Sequence, residues 1–194
     1  MGTEGFDAVI LAGGAARRMG GADKPGLRVG GATLLERVAA AAAGAALLVV
    51  VGPERPRPAA LYVREDPPGA GPVPALRAGI AEVTAPAFAL LAGDLPFLEP
   101  ARVAELRRAA RGRAGAVLVD AEDRPQWLTG VWDTAAVRAA LAGYSGGSLR
   151  GVLAPLDPVR VATGGDGGPL DCDTPEDLDR ARRRAAGDPA AGPR

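Results

Sequence analysis

The chain has 194 residues, with 23 basic and 23 acidic side chains and no formal net charge. That length makes one ordinary domain with a real core, and the balanced charge argues against a nucleic-acid binder. Histidine is absent and Cys172 is the single cysteine, which excludes Ser-His, Cys-His and His-metal chemistry, a cysteine-rich metal site and an internal disulfide.

The apolar run 7–12 ends in Gly13-Gly14 and reads as a buried strand. A glycine-bearing basic loop follows through Leu27. Thr33 caps a helix that runs to about Ala43 and stops at Gly44, with Glu36 completing a capping box. A second buried strand spans 46–51, and proline-rich loops span 52–58 and 67–74. Leu76, Gly79 and Ile80 share one side of a short helix. A third strand, 87–92, ends at Gly93-Asp94. Pro100 sits in the first turn of a helix to about Arg111. Strands follow at 116–119 and 126–132. Asp133 caps a helix that stops at Gly143, a short helix ends in Gly151-Val152-Leu153, and 159–162 is a weak strand. Thr174 is the N-cap of the last helix and Pro175 its first residue. From about Ala185 the composition predicts a disordered tail behind a single domain, 1–184.

Strands alternating with helices, apolar on both faces, predict an α/β fold with a mainly parallel sheet and helices on each side. The N-terminus has no basic, cleavable leader, and the longest apolar run, 38–51, is too short for a bilayer, which needs about 20 residues. A cytoplasmic protein without membrane contact is the expectation. Ligands in such sheets bind beyond the carboxyl ends of strands. That rule points to the loop after Leu11 and the turn at Asp94.

The first place has a phosphate-binding composition. Glycines after a buried strand let backbone N–H groups approach an anion, and Arg17, Arg18 and Lys24 add positive charge. Lys24 is the one lysine among 22 arginines. A surface loop with solvated arginines is the alternative reading of the same residues. At the second place, a lone carboxylate at a strand end can hold Mg²⁺ on a nucleotide's phosphates, or Asp94 is an ordinary turn residue before a proline. Later, Asp171-Cys172-Asp173-Thr174-Pro175-Glu176-Asp177 starts a helix. In an extended segment Asp171 and Asp173 share one face, opposite Cys172.

The ordered motif Leu11-Ala12-Gly13-Gly14-x-x-x-Arg18-Met19-Gly20-x-x-Asp23-Lys24 resembles the opening of nucleotidyltransferases that activate phosphorylated acceptors, most nearly the molybdenum cofactor guanylyltransferases. The resemblance extends from Val9 to about Arg182. It implies a three-layer, Rossmann-like sheet of the nucleotide-diphospho-sugar transferase type. It also implies that Leu11, Ala12, Gly13 and Gly14 contact a nucleotide whose phosphates meet Arg18 and Lys24. The segment Asp94-Leu95-Pro96-Phe97 is similar to the family's metal-ligand turn, so Asp94 and Asp173 would hold Mg²⁺, with Asp171 as the alternative to Asp173. Asp66 and Gly71-Pro72 match the segment near the base and phosphates, although Ala75 replaces a frequent glycine and Gly52-Pro53-Glu54 replaces an asparagine. Arg124-Pro125-Gln126-Trp127-Leu128 looks like the family's Gln-Pro-Leu acceptor-side segment, with Trp127 in place of the proline, while Trp132 fits core packing. The implied reaction moves GMP from Mg-GTP to the terminal phosphate of a molybdopterin-type cofactor, with Arg18, Lys24 and Asp94 catalytic. CTP as donor, or a sugar phosphate as acceptor, keeps the same chemistry, and a non-catalytic nucleotide-binding regulator is the reading from another class. The resemblance further implies a monomer whose partners are molybdoenzymes or their chaperones.

Overall fold

The computed structural model describes residues 5–13, 23–163, 172 and 174–187. At its centre lies β1 (Phe6–Leu11), buried at every position. Strands β4 (Leu48–Val51) and β6 (Ala87–Ala92) flank it in parallel. A strand covered at both edges and on both faces must be apolar throughout, as this one nearly is. Beyond β4 lies β5 (Leu61–Val63), also parallel. On the other side β8 (Pro125–Asp133) runs antiparallel between β6 and β7 (Gly115–Val119). The far edge is β9 (Val159–Ala162), parallel to β7. The order is β5-β4-β1-β6-β8-β7-β9.

Helices cover both faces. On one, α1 (Leu34–Ala41) and α3 (Pro100–Ala109) bury Leu35, Val38, Val103 and Leu106 against Ala8, Ile10, Val50 and Leu91. On the other, α2 (Pro72–Glu82), α4 (Thr134–Ala142) and α5 (Leu149–Leu153) bury Leu76, Ile80, Val137 and Leu153 against Val9, Val51, Phe88 and Trp132. A smaller cluster joins α6 (Pro175–Ala185) to a hairpin of β2 (Arg28–Val29) and β3 (Ala32–Thr33) through Val29, Leu34, Cys172, Leu178 and Ala181. Among the described residues no helix is long and apolar enough to cross a membrane.

The capping signals in the sequence form as expected. Glu36 N–H donates to Thr33 Oγ1 at 3.1 Å and Thr33 N–H to Glu36 Oε2 at 2.8 Å. Thr174 and Asp177 make the same reciprocal box on α6, and the Asp133 carboxylate accepts from Ala136 N–H at 2.7 Å. The expected loop 67–74 is shorter than the sequence implies. Pro72 is the first residue of α2 and Pro74 lies in its first turn, where the missing N–H groups have no intrahelical partner to lose. The edge strand β5 and the β2–β3 hairpin carry no sequence signal, being three and two residues long per strand. The tail beyond Gly187 lies outside the described residues.

One polar side chain stands inside the apolar centre. Asp7 is fully buried on β1. Its carboxylate accepts from Leu47 N–H at 3.1 Å, Thr84 N–H at 2.7 Å, Ala85 N–H at 2.9 Å and the Thr84 hydroxyl at 3.3 Å. It thereby ties the amino end of β1 to the segments that lead into β4 and β6.

Glycine decides how closely α2 lies on the sheet. A Cβ on Gly79 would fall 2.5 Å from Val9 Cγ1 and 2.9 Å from Val51 Cγ2. Gly79→Ala gains about 1 kcal/mol of helix propensity. Forcing a methyl between two fully buried valines costs about 1–3 kcal/mol, and the tight contact with both leaves little room to relieve it. The denaturation midpoint of Gly79→Ala is therefore expected to fall, which chemical unfolding measures directly; a rise would show that α2 can back away from the sheet.

Candidate active site

The candidate site lies at the carboxyl ends of β1, β4 and β6. There the chain of β1 continues through Ala12 and Gly13, and its neighbours leave room for it. Ala12 N–H donates to Val51 O at 2.9 Å, and Gly93 N–H donates to Leu11 O at 3.0 Å. A Cβ on Gly52 would stand 2.9 Å from Ala12 O, and one on Gly93 would stand 3.2 Å from Ala12 Cα. Glycines at the ends of β4 and β6 thus let the Leu11–Gly13 backbone pass between them. Leu11 and Ala12 are buried and Gly13 is exposed.

Asp94 follows Gly93 directly off β6. Opposite it, the 3-10 turn Lys24–Gly26 presents Lys24. Lys24 Nζ donates to Asp94 Oδ2 at 2.5 Å across 70 residues of sequence, and the two side chains are 14% and 20% exposed. The other carboxylate oxygen, Asp94 Oδ1, is buried and has no hydrogen-bond partner. Orphaned buried oxygens are uncommon because desolvation without a bond is unfavourable. An anionic oxygen left open at a strand end fits a hard divalent cation, which takes one or two carboxylates and completes its shell with phosphate and water. Among the described residues no three His, Cys, Asp or Glu side chains gather as a ready metal cage. The rest of the shell would come from substrate and from residues outside that set.

The late acidic segment arrives at the same place. Cys172 N–H donates to Asp94 O at 3.3 Å, while its side chain is buried with Val29 and Leu34. Cys172 is thereby anchored at the Asp94 turn. Asp171 and Asp173 themselves lie outside the described residues, as do Gly14, Arg17 and Arg18.

Two side chains at the site carry no sequence signal. Arg55, in the loop after β4, meets both carboxylate oxygens of Asp23 with its two terminal nitrogens. That hydrogen-bonded pairing holds the Asp23 carboxyl below its ordinary value and raises the Arg55 guanidinium above its own. The second is Glu65, buried just beyond β5, whose oxygens would stand 3.6 and 3.8 Å from a Cβ on Gly13. Its Oε1 accepts from Gly69 N–H at 2.9 Å. Asp66, the sequence-based choice for nucleotide contact, is exposed at the mouth of the same segment. Gly71 is the N-cap of α2 with φ +110, a conformation that favours glycine.

A strand-end glycine turn, a lysine and a carboxylate with an open oxygen gather at the carboxyl edge of a doubly covered sheet, where ligands bind in folds of this kind. A family model described as "MobA-like NTP transferase domain" matches residues 8–160, and the chain belongs to that family. A protein named molybdenum cofactor guanylyltransferase from Cereibacter sphaeroides is 31% identical over 182 residues, covering 89% of this chain and 93% of the relative. Among solved structures, 2-C-methyl-D-erythritol 4-phosphate cytidylyltransferase from Thermus thermophilus superposes with a TM-score of 0.73 at 21% identity, covering 94% of this chain and 99% of that one. A Mycobacterium tuberculosis H37Rv protein, Rv0371C, solved as a complex with manganese, has a TM-score of 0.67 at 22% identity, covering 94% of this chain and 100% of that one. These two structures share the three-layer, mainly parallel fold.

Proposed function

We propose that this chain transfers GMP from Mg-GTP to the terminal phosphate of a molybdopterin-type cofactor and releases pyrophosphate. The observation that carries the chemistry is the Lys24–Asp94 contact with Asp94 Oδ1 left open. The 31% identity to a guanylyltransferase over most of both chains supports the donor and acceptor.

An oxygen of the acceptor phosphate attacks the α-phosphorus of the nucleotide. The bond from that phosphorus to the bridging oxygen of the pyrophosphate breaks in line. The acceptor is already an anion at neutral pH, so no general base is needed, and a chain without histidine loses nothing by it. What remains for the protein is alignment and neutralisation of charge. Lys24 and Arg18 supply positive charge to the α-phosphate and the leaving pyrophosphate. Leu11, Ala12, Gly13, Gly14, Asp66 and Gly71 line the nucleotide. Asp94, with Asp173, would hold Mg²⁺, whose role when bound is to neutralise the phosphates. We assign the reaction to a single domain, 1–184, acting as a cytoplasmic monomer that hands its product to molybdoenzymes or their chaperones.

The test is pyrophosphate release by the purified protein with Mg²⁺ and molybdenum cofactor, offered GTP, CTP, ATP and UTP separately. Release with GTP alone is expected. Release with CTP alone would favour the second reading, in which the same chemistry uses another donor. Silence with all four would turn attention to another acceptor phosphate or to a binder without turnover.

A further inference from the structure

The reading above places Lys24 in the chemistry but leaves open what aims it. Lys24 sits on a turn of three residues, and the sequence immediately before Asp23 is rich in glycine. A lysine has a long, flexible stem whose rotamer freedom must be lost to hold the ammonium in one place. Within the turn, the backbone bonds are Gly26 N–H to Asp23 O at 3.0 Å and Leu27 N–H to Lys24 O at 3.0 Å. A stronger restraint comes from a distant loop.

We infer that Arg55 is a positioning residue for the reaction, clamping Asp23 and so fixing the turn that points Lys24 at Asp94. The inference rests on the nucleotidyl-transfer reading for its consequence, not for its geometry. Arg55 is 15% exposed and reaches across 32 residues of sequence to take both oxygens of Asp23. A two-point contact between planar groups fixes orientation as well as distance, which one ammonium could not do. The pair needs Gly26. A Cβ there would stand 2.9 Å from Arg55 Nη1 and closer still to the Asp23 carboxylate. Pro25, with its fixed φ, sits between them in the turn. The Asp23-Lys24-Pro25-Gly26 run thus forms one corner, with the Asp23 side chain 59% exposed. Asp23 faces Arg55 on one side and Lys24 faces Asp94 on the other. Arg55 also joins two strand ends, because its loop follows β4 while Asp94 follows β6.

Lys24 is the only lysine in the chain, so its mobility can be read without turnover. Acylation of the lysine amine by a water-soluble succinimidyl ester is followed by peptide mass spectrometry in wild type, Arg55→Ala and Asp23→Asn. Arg55→Ala and Asp23→Asn are expected to raise the Lys24 labelling rate by about fivefold or more, as a locally opened segment does. Thermal midpoints taken on the same samples separate local loosening from global unfolding. In steady state, Arg55→Ala is expected to lower kcat by about 10–100-fold, the scale of a small misplacement, with a smaller change in KM for the nucleotide. On a Lys24→Ala background the same substitution should change kcat by less than about twofold, because the two residues act as a unit. Unchanged labelling in both single variants would overturn the clamp. So would an Arg55→Ala loss of rate that Asp23→Asn does not share, since Arg55 would then act on the ligand itself. If wild type shows no turnover with any nucleotide while labelling responds as stated, the reading of the reaction fails and the clamp stands.

Discussion

Lys24→Ala and Asp94→Ala are each expected to lower the rate of GTP-dependent pyrophosphate release by about 10²–10³. The two side chains face one another across the mouth of the sheet, each with little exposure. Each stands as a counterion to the other. In the proposed reaction the ammonium would gain phosphate oxygens when substrate binds, and the open oxygen of the carboxylate would hold the cation. Both groups would then act where charge develops, in a place where charges interact more strongly than in water. With both side chains mostly buried, removing one leaves the other's charge uncompensated and costs stability as well, so each rate is read on protein that the thermal midpoint shows to be folded at the assay temperature. Asp94→Asn is the sharper form of the test, because it keeps the shape and removes the charge. Turnover and thermal midpoint measured together decide the matter, and near-normal turnover in either variant would remove that residue from the chemistry.

Asp7→Ala is expected to lower stability by about 3 kcal/mol, the scale of losing hydrogen bonds to a buried carboxylate. The variant would leave three backbone N–H groups and the Thr84 hydroxyl without their acceptor; Asp7 is fully buried, while Leu47 and Ala85 are half-buried and Thr84 is exposed. Each buried group left unsatisfied costs about 1–3 kcal/mol, and relaxation recovers part of that. A domain of ordinary stability has about 5–15 kcal/mol to lose, so the variant should unfold at markedly lower denaturant. Asp7→Asn keeps one acceptor oxygen but turns an amide donor toward other donors, and should lie between. Equilibrium unfolding in urea measures both. A shift below about 1 kcal/mol, the size of one ordinary net hydrogen bond, would mean that water replaces the carboxylate freely.

The sequence was a good guide wherever the physics is local. Strands buried on both faces read as apolar runs, so β1, β4, β6, β7, β8 and β9 stand close to where the pattern puts them. Thr33, Asp133 and Thr174 cap helices because short polar side chains can satisfy free N–H groups over three residues. The direction of β8 was not legible, since an antiparallel strand inside a parallel sheet has the same composition. Nor was β5, where Leu61-Tyr62-Val63 is shorter than any period can mark. In the site, Lys24 and Asp94 were marked out by the motif resemblance, while their chemistry alone left a surface lysine and a turn aspartate as alternatives; the two come together in space. Arg55 did not, because its partner lies 32 residues away and the loop around it is proline-rich like any other. Glu65 and Asp66 are neighbours of like charge, and only the backbone path beyond β5 decides which of them turns inward.

The reversed strand has a consequence for how this architecture can change. Because β8 pairs Leu91 with Thr129 and Ala87 with Asp133, its first residues, not its last, project past the end of β6. The turn 120–124 that precedes it, held by Asp120 Oδ1 accepting from Glu122 and Arg124 N–H, therefore stands at the same edge as Asp94. Chain added there lengthens a ribbon that is already paired and leaves every other register in the sheet untouched. That edge can grow or shrink by whole hairpin steps beside the Lys24–Asp94 contact, so an acceptor bound there in the proposed reaction could change in bulk while the charged centre stays in place.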